Sequence, residues 1–495
     1  MTPKRSLERE EKWDVPATFV PPELIPDLPE GATVSIAQVH LSSTYFDTDR
    51  HDLLNADVSL RRRTGDTDTG WQAKLASRTE HRIEITQPLQ PSSVDENVTP
   101  PESIGEILAG LGRGRTLRPI AIVRTARTLH SVHDATGTLL LELADDTVHS
   151  TAIGPTASIQ AWREVEVELK QGSPKLLRRL GKQLQRAGAM PRPGSSKLTR
   201  TLELDDAVPP PIAAPIARYL HEQYLALLAG DLDLRMGNDA VHPTRVACRR
   251  LRSTLRNFAP LLADDGATGD ADVDADLDAD LDFDLDTEIA WYAALLGDAR
   301  DAQVMRAHFR QALGDVPVEL TLGAVAARIA TSIDQWERDA LAVLGEAMHS
   351  PRYFALLDAV EAFVEHQAAA KPPKRKQIEK LVAQAEQKYQ KRLRRALRSP
   401  KDDAALHRAR KAAKRARYAY EATELDGARR RIRDFKRLQT TLGEFQDAVV
   451  AKELLRKWGA ATSALPDENG FTFGLLWQRE DENQRRIRRA LRHAG

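Results

Sequence analysis

Within the stretch Arg163–Lys170, charged and apolar side chains alternate without a break from Glu164 onward. Glu164, Glu166, Glu168 and Lys170 occupy every second position, and two valines and a leucine stand between them. Successive side chains of an extended strand point to opposite faces, so a period of two predicts a strand rather than a helix. We therefore expect this stretch to form a strand with one charged face and one apolar face.

The same alternation recurs several times before residue 170. The further segments are 8–12, 58–63, 71–75, 81–86 and 138–143. Two helices are predicted among them, at 102–111 and 173–188, and the second begins with Ser173 and Pro174 and stops at Gly188. When several strands carry charges of both signs on one face, the pattern predicts a barrel with a polar interior and an apolar wall that packs on helices.

A barrel interior that carries charges of both signs requires a charged ligand to neutralise it. Glu8, Glu10 and Lys12 share one face of the first segment, and Arg61 and Arg63 share one face of the second. Guanidinium and ammonium groups match phosphate oxygens, whereas closely spaced carboxylates repel one another unless a divalent cation lies between them. The residues therefore predict a pocket for a highly charged phosphate compound with a bound metal ion.

Composition excludes several other kinds of protein. The single cysteine, Cys248, rules out an internal disulfide and a cysteine-based zinc cluster, and the sequence contains neither HExxH nor GxSxG. The first residues, MTPKRSLEREEK, lack the apolar core of a signal peptide, and no run of about 18 uncharged apolar residues is present. We therefore expect a cytoplasmic protein that does not use a membrane as a partner.

A proline-rich stretch at 206–215 divides the chain. At 495 residues the chain is too long for one ordinary core, and after residue 215 long helices rich in Ala, Leu, Arg and Glu replace the short alternating segments. The formal net charge of zero hides a basic block, because 371–418 carries 18 Lys and Arg against four Asp and Glu. The sequence predicts an α+β domain followed by an all-α domain with a surface for a polyanion.

The helical region contains an internal repeat. Each of two histidines is followed by basic residues at +3, +7, +8 and +10, which are Arg245, Arg249, Arg250 and Arg252 after His242, and Arg410, Lys414, Arg415 and Arg417 after His407. A second pair of similar segments, Leu296–Ala302 and Leu442–Ala448, shares the pattern Leu-Gly-acid-x-x-Asp-Ala. Helical periodicity gives each motif one basic and one apolar face, so we predict two duplicated bundles, at 216–370 and 371–495.

The N-terminal region resembles the CYTH domain of the triphosphate tunnel metalloenzymes over residues 5–205. The resemblance rests on an ordered set of motifs: Glu8-x-Glu10-x-Lys12, Tyr45-Phe46-Asp47-Thr48, Leu60-Arg61-x-Arg63, Lys74, Arg124, the pair Glu142 and Asp145, Glu164-x-Glu166-x-Glu168, and Ser196-Lys197. It implies a tunnel, an eight-stranded antiparallel β-barrel, that binds a triphosphate with Mg²⁺ or Mn²⁺.

By this resemblance the basic residues hold the phosphates and the acidic residues hold the metal. The implied phosphate ligands are Lys12, Arg61, Arg63, Lys74, Arg124 and Lys197, with Arg127 as an equally good candidate beside Arg124. The implied metal ligands are Glu8, Glu10, Glu166 and Glu168, with Glu142 and Asp145 in support. Glu8, Glu10 and Lys12 are the implied catalytic residues, and no dedicated nucleophile is needed because phosphoryl transfer depends on positioning and charge neutralisation.

Residues 216–495 resemble the CHAD domain, a histidine-containing helical module that is often joined to CYTH domains and binds inorganic polyphosphate. The resemblance rests on the two histidine motifs, and it implies that the histidines and the basic residues after them contact polyphosphate. Two positions depart from it: Pro243 stands where an acid usually follows the histidine, and Glu421 stands where the first copy has Arg256. The two copies are therefore expected to contribute unequally.

The resemblances favour an inorganic triphosphatase whose helical domain gathers polyphosphate. Two alternatives stay open: a polyphosphate-binding protein without catalysis, and a tunnel enzyme for another triphosphate, such as thiamine triphosphate or a nucleoside triphosphate. Nucleic-acid binding ranks last, because aromatic residues make up only 5% of the chain and base stacking requires them.

An acidic insert at 264–286 interrupts the first copy of the repeat. Asp270–Asp286 places an aspartate at every second position, nine in all. Like charges at this spacing repel one another in a strand and bury nothing in a helix, so we predict that the insert lacks regular structure. It serves either as a solvated spacer or as an internal decoy that competes with polyphosphate for the basic face.

Overall fold

The computed structural model describes residues 4–6, 9–21, 28, 30–65, 69–75, 82–89, 98–154, 156–192, 196–204, 211–262, 284–398, 402–462 and 470–493. The chain forms two compact units, Met1–Pro210 and Pro211–Gly495. The first unit is built on an antiparallel sheet, and the second consists of helices. The protein is therefore a two-domain α+β protein.

In the described part of the first unit, ten strands form one sheet. They are β1 Lys4–Ser6, β2 Arg9–Asp14, β3 Thr33–Asp47, β4 Ser59–Thr64, β5 Gly70–Leu75, β6 Arg82–Gln87, β7 Arg118–His133, β8 Leu139–Ala152, β9 Ser158–Leu169 and β10 Met190–Pro191. Their order in the sheet is β1-β6-β5-β4-β3-β7-β8-β9-β2-β10, and every pairing is antiparallel. The accompanying helices are α1 Asp52–Asn55, α2 Glu102–Leu108, α3 Pro174–Arg186 and α4 Lys197–Thr201.

The predicted eight-stranded closed barrel is wrong in both strand count and closure. Among the described residues no ladder joins the two edge strands, β1 and β10, which are three and two residues long. The first strand is split, because Lys4–Ser6 pairs with β6 whereas Arg9–Asp14 pairs with β9 near the opposite edge. The sheet is therefore open. It must also curve, because the three residues from Ser6 to Arg9 span at most about 11 Å and yet link a strand at one edge to a strand near the other.

The apolar face of the sheet packs on α3. Val165, Val167 and Leu169 of β9 are buried, and together with Trp13 of β2 they belong to a core that includes the leucines of α3. A Cβ added to Gly181 of α3 would lie 3.0 Å from the Trp13 ring, so glycine allows the helix to approach closely. Burial of this face leaves the alternate residues of the same strands on the opposite side.

Two long strands and two short helices were not predicted from the sequence. In β3 the apolar residues change phase, from Val34 and Ile36 to Val39 and Leu41, so no simple alternation marks the strand. Helices α1 and α4 contain four and five residues, which is too short for a helical period to show. Strands β3 and β7, with 15 and 16 residues, nevertheless form the middle of the sheet.

Nine helices make up the described part of the second unit. They are α5 Pro215–Arg235, α6 Val241–Leu262, α7 Asp284–Gly314, α8 Val325–Met348, α9 Pro351–Ala369, α10 Arg375–Arg398, α11 Asp403–Glu421, α12 Ala428–Ala461 and α13 Phe471–His493. Helices α5 to α8 pack consecutively, α10 to α13 do the same, and α6 contacts α11. The two halves therefore repeat one packing order and meet along the helices that carry the histidine motifs.

Most of the acidic insert, at 263–283, lies outside the described residues. The described chain begins again at Asp284, where α7 starts, so Asp286 belongs to the first turn of a helix.

No described helix of either unit is long and apolar enough to cross a membrane.

Candidate functional site

Strands β8, β9 and β2 place acidic and basic side chains on one side of the sheet. Lys12 of β2 lies opposite Glu166 of β9, and Asp146 of β8 lies opposite Glu164 of β9. These residues share one parity along their strands, and side chains of one parity point to one side. We call this side the charged face; it is defined by the even-numbered residues at 142–146 of β8, 164–168 of β9 and 10–14 of β2.

Three carboxylates on the charged face converge on one point. Asp146, Glu164 and Glu166 each offer a carboxylate oxygen, and these oxygens lie within 4.8 Å of one another. The ammonium of Lys197 contacts all three, with Nζ at 2.9 Å from Asp146, 2.6 Å from Glu164 and 2.9 Å from Glu166. We call the three acids the carboxylate cluster, and the Lys197 ammonium bridges all of them.

Lys197 reaches the carboxylate cluster from the first turn of α4. Ser196 precedes this helix and caps it, since its Oγ accepts a hydrogen bond from the backbone N–H of Thr199 at 3.1 Å. In return, Thr199 Oγ1 accepts a hydrogen bond from the backbone N–H of Ser196 at 3.0 Å. This reciprocal cap fixes the start of the helix and with it the direction of the Lys197 side chain.

Three further cations adjoin the carboxylate cluster, and one of them is Arg200, whose Nη1 lies 3.9 Å from Glu164. Arg127 of β7 donates hydrogen bonds to Asp146 at 2.8 and 2.7 Å and one to Glu166 at 3.0 Å. The Nζ atom of Lys12 lies 3.9 Å from Glu166 and 3.3 Å from Glu10. Four cations therefore lie against the three acids of the cluster, those of Lys197, Arg127, Lys12 and Arg200.

Neighbouring charges of opposite sign shift the pKa values of Glu166 and Lys197. Burial raises the pKa of Glu166, but Lys197, Lys12 and Arg127 outweigh burial and hold that pKa well below its usual range. Burial lowers the pKa of Lys197, but Glu166, Asp146 and Glu164 outweigh it and raise that pKa. Glu166 and Lys197 therefore both stay charged at neutral pH.

The carboxylate cluster suits a hard divalent cation. Mg²⁺ and Mn²⁺ prefer carboxylate oxygens, and the cluster brings three such groups together at a place that already holds one cation, the Lys197 ammonium. The residues that fit a metal ion are therefore Asp146, Glu164 and Glu166.

The predicted phosphate ligands of β4 adjoin the same space. Arg61 Nε donates to Gln72 Oε1 at 2.8 Å, and Arg61 Nη1 lies 3.5 Å from the hydroxyl of Tyr45. Burial raises the pKa of this phenol, but Arg61, Lys197 and Arg63 outweigh burial and lower the pKa. Arg61, Arg63 and Lys197 therefore all lie near the Tyr45 hydroxyl.

Three more of the predicted site residues lie farther along this side of the sheet: Lys74, Glu142 and Glu168. Lys74 is half-buried on β5 and has the same parity as Gln72. Lys170 lies 3.2 Å from Glu142 and 2.6 Å from Glu168. Glu142 and Glu168 therefore form a second acidic group that is paired through Lys170.

The structure does not bring Asp145 and Arg124 to the charged face. Asp145 is buried on the other side of β8, where Arg163 donates to it at 3.0 and 2.6 Å. Arg124 is exposed on the other side of β7, opposite His149. Asp145 lies one residue from Asp146, and Arg124 lies three residues from Arg127, which contacts Asp146. Because side chains alternate between the two sides of a strand, Asp145 and Arg124 point to the other side of the sheet.

Two of the three acids in the carboxylate cluster, Asp146 and Glu164, are not among the site residues predicted from the sequence. Glu164 stands in the strongest alternating segment, and Asp146 lies four residues beyond Glu142. Continuing the period of two from Glu142 selects Asp146 rather than its neighbour Asp145. Glu8 lies outside the described residues, and its role as a metal ligand stays a prediction.

Cations of both histidine motifs converge where α6 contacts α11. The pKa of the Lys414 ammonium is lowered to about 6, first by burial and then by Arg410, Arg249, Arg245 and Arg417. The Nε atoms of Arg249 and Arg410 are buried and have no hydrogen-bond partner among the described residues. We call Arg245, Arg249, Arg410 and Lys414 the basic cluster.

The second pair of similar segments, Leu296–Ala302 and Leu442–Ala448, places a glycine against an arginine of each histidine motif. A Cβ added to Gly297 of α7 would lie 3.2 Å from Nη2 of Arg245, and one added to Gly443 of α12 would lie 3.4 Å from Nη2 of Arg410. A residue without a side chain therefore lets each guanidinium lie close against the following helix. Both halves keep this arrangement, which explains why the repeat includes the glycines.

The motif histidines are uncharged neighbours of these cations. Burial first, and then basic residues led by Arg300, lower the pKa of His242. Burial and nearby basic residues also lower the pKa of His407, whose Nδ1 lies 3.1 Å from Gln446 Oε1. Both imidazole rings are therefore mainly neutral at pH 7.

The remaining arginines of the motifs lie outside the basic cluster. Arg252 pairs with a carboxylate of α7 at 3.1 Å. Arg250 and Arg417 each lie 3.2 Å from the carboxylate of Glu421, and Arg415 is half-buried on α11. Acids therefore already compensate part of the predicted polyphosphate surface.

Comparison with known proteins identifies both domains. The family model of the CYTH domain matches residues 29–202, and the model of the CHAD domain matches residues 218–456. Uncharacterised proteins from two strains of Mycobacterium tuberculosis are 34% identical to this chain over 528 residues, which covers 99% of this chain and 96% of theirs.

Solved structures are similar to one domain at a time. The CHAD domain from the plant Ricinus communis is 22% identical over 57% of this chain and 91% of its own, with a TM-score of 0.45. A putative adenylyl cyclase from Hippeastrum, described as having a dominant triphosphatase activity, is 18% identical over 40% of this chain and 95% of its own, with a TM-score of 0.26. On the two domain matches and the full-length relatives, the chain belongs to the family of proteins that join a CYTH domain to a CHAD domain.

Proposed function

We propose that the CYTH domain hydrolyses inorganic triphosphate with Mg²⁺ or Mn²⁺ and that the CHAD domain binds polyphosphate. One observation carries the enzymatic part: three acids converge on one face and basic side chains adjoin them. A site that only binds an anion has no use for convergent acids. A site for a metal–triphosphate complex needs both kinds of charge.

The residues of this chain then supply positioning and charge neutralisation. A divalent ion held by the carboxylate cluster would add further positive charge and a polarised water. Arg61 and Arg63 of β4 and Lys197 of α4 all act on the Tyr45 hydroxyl. Lys197 and Arg127 also contact the carboxylate cluster. Phosphoryl transfer is catalysed mainly by positioning and electrostatics, so these groups are sufficient without a covalent nucleophile.

Two aromatic residues on the charged side of the sheet favour an inorganic substrate. Trp162 donates its indole N–H to Glu164 at 2.6 Å, and the Arg200 guanidinium lies over its ring, 4.5 Å from the centroid. The hydroxyl of Tyr45 lies beside Arg61. Because a guanidinium covers the Trp162 ring and the Tyr45 side chain is buried, both rings are poorly placed to stack on the base of a nucleotide or the thiazole ring of thiamine triphosphate.

Phosphate release from several compounds tests the enzymatic proposal. The full chain is assayed with tripolyphosphate, thiamine triphosphate, ATP and long-chain polyphosphate, each with and without Mg²⁺ or Mn²⁺. We expect rapid release from tripolyphosphate only with metal, and slower release from the two organic triphosphates. Faster hydrolysis of an organic triphosphate would reassign the substrate, and no release from any compound would leave a binding protein.

The basic cluster supports the binding part of the proposal. Burial and neighbouring arginines lower the pKa of Lys414, and the acid that pairs with Arg245, Asp301, approaches it only to 3.8 Å. A linear polyanion would compensate such a cluster. Binding of this kind releases condensed counterions, so we expect the affinity to fall steeply as salt rises.

Arg249→Gln combined with Arg410→Gln should weaken polyphosphate binding by at least about tenfold at low salt, because the double variant removes one cation from each helix. The matched control is Arg394→Gln combined with Arg395→Gln, which removes the same charge from exposed positions on α10. Isothermal titration of the full chain with polyphosphate of defined length measures both affinities. Equal weakening in the two double variants would contradict a site at the basic cluster.

Polyphosphate binding should also take up a proton. Burial first, and then the neighbouring arginines, lower the pKa of Lys414 to about 6, so this side chain is mainly neutral at pH 7.5. A bound polyanion offsets the arginines and restores the proton, so the affinity should rise as the pH falls from 9 toward 6. Titrations at pH 7.5 in buffers of different ionisation enthalpy should show uptake of about one proton.

Lys414→Met is the control for this assignment. His242, His407, Asp301 and Asp447 also face the basic cluster, and each has a shifted pKa. The variant should still bind polyphosphate, more weakly and without proton uptake. Undiminished uptake would assign the proton to one of the other groups.

A further inference from the structure

One carboxylate holds two arginines at the end of the basic face of α6. Asp286, in the first turn of α7, accepts hydrogen bonds from Arg252 Nε at 3.2 Å and Nη2 at 3.1 Å. It also accepts from Arg256 Nε at 3.0 Å and Nη2 at 2.6 Å. The Asp286 side chain is only 8% exposed, whereas the Arg252 and Arg256 side chains are 27% and 33% exposed. The two guanidinium groups thus form an oxyanion site that solvent reaches from the arginine side.

We propose that Arg252 and Arg256 form a phosphate-binding subsite and that Asp286 occupies it as an internal competitor. The inference rests on the proposed binding of polyphosphate by the CHAD domain. Arg252 lies three residues after Arg249, and Arg256 lies four residues after Arg252, so both continue the same helix face away from the basic cluster. A phosphoryl group carries the negative charge and the oxygens that these guanidinium donors require.

In the second half of the domain, a different acid pairs with the arginine at the corresponding position. Glu421 stands at the position of α11 that corresponds to Arg256, and it lies 3.2 Å from Arg417, the counterpart of Arg252. This acid belongs to the same helix as its arginine, so it stays on that face. In the first half the acid belongs to another helix, α7, and its departure would free two arginines at once. The subsite is therefore specific to the first half.

Exchange of Asp286 for a phosphoryl group conserves the charge balance. Burial raises the pKa of Asp286, but hydrogen bonds from Arg256 and Arg252 outweigh burial and lower it, so the carboxylate is ionised at neutral pH. Breaking a buried ion pair is costly when one charge is left unpaired, but here both arginines would gain a new partner. The movement is confined to the first turn of α7, and helix ends open at lower cost than helix centres.

Polyphosphate binding by four forms of the full chain tests the proposal: the parent, Asp286→Asn, Glu288→Gln, and Asp286→Asn combined with Arg256→Gln. Glu288 is the matched control, because it lies two residues away on α7 and pairs with Arg352. At low salt we expect Asp286→Asn to bind polyphosphate of defined length at least about fivefold more tightly. Glu288→Gln should change the affinity by less than about twofold, and the double variant should lose the gain.

A second measurement uses the parent protein and does not depend on the folding of any variant. If polyphosphate displaces Asp286, amide hydrogen exchange at 288–292 should become faster on binding. Unchanged affinity in a folded Asp286→Asn variant, or unchanged or slower exchange at 288–292 in the parent, would overturn the proposal. Failure of the proposed function looks different, because neither the parent nor Asp286→Asn would then bind polyphosphate.

Discussion

Asp146→Asn should lower metal-dependent phosphate release from tripolyphosphate by at least about 100-fold. The substitution removes one acid of the carboxylate cluster, and it weakens the contacts that position Arg127 and Lys197. Loss of a metal ligand should also raise the Mg²⁺ concentration that gives the half-maximal rate. Steady-state assays over a series of Mg²⁺ concentrations measure both effects, and circular dichroism checks the fold.

Asp145→Asn is the matched control, since it makes the same chemical change at the adjacent residue. The Asp145 carboxylate lies on the other side of the sheet and pairs with Arg163 at 2.6 Å. We expect a lower melting temperature, because a buried charged hydrogen bond is weakened, but a rate within about twofold of the parent. Equal losses of rate in the two variants would contradict the assignment of Asp146 to the site.

Lys197→Met should bind Mn²⁺ about tenfold more tightly than the parent in the absence of any phosphate compound. The parent places an ammonium in contact with all three carboxylates, and the variant leaves these acids with one cation fewer. Hydrolysis of tripolyphosphate should nevertheless fall by at least about 100-fold, because the substrate loses a positive charge that its transition state needs. Electron paramagnetic resonance of free Mn²⁺ measures the binding, and phosphate release measures the rate.

Two further variants separate a local effect of Lys197 from a change in net charge. Lys182→Met removes the same charge from an exposed position on α3, and it should leave Mn²⁺ binding unchanged. Lys197→Met combined with Asp146→Asn should lose the gained affinity, because the cluster then lacks one ligand. If Lys197→Met and Lys182→Met bind Mn²⁺ equally well, Lys197 does not compete with a metal ion for the carboxylate cluster.

Local periodicity identifies which residues share a face. The alternation along Arg163–Lys170 predicts a charged and an apolar side for β9, and Val165 and Val167 are indeed buried against α3. The repeated histidine motif likewise predicts helices with basic faces, and α6 and α11 bear them. Backbone geometry sets these patterns over a few residues, so neighbouring residues are enough to reveal them.

Strand pairing is different, because it joins residues that are far apart in the chain. The alternating pattern predicts one strand at 8–12 in a closed barrel, whereas the residues at 4–6 and 9–14 pair with different strands near the two opposite edges of an open sheet. No local pattern distinguishes these outcomes, since each strand has the same alternation whichever partner it takes.

The sequence by itself determined that this protein has a strand domain with mixed charges and a duplicated helical domain with basic faces. Only the tertiary structure decided which charges meet. Asp146 joins the site instead of Asp145 because it lies opposite Glu164, 18 residues away, where Arg127 and Lys197 also arrive. A side chain's face follows from its own backbone, but the convergence of several side chains depends on ladder register and helix packing, which are set by contacts between distant residues.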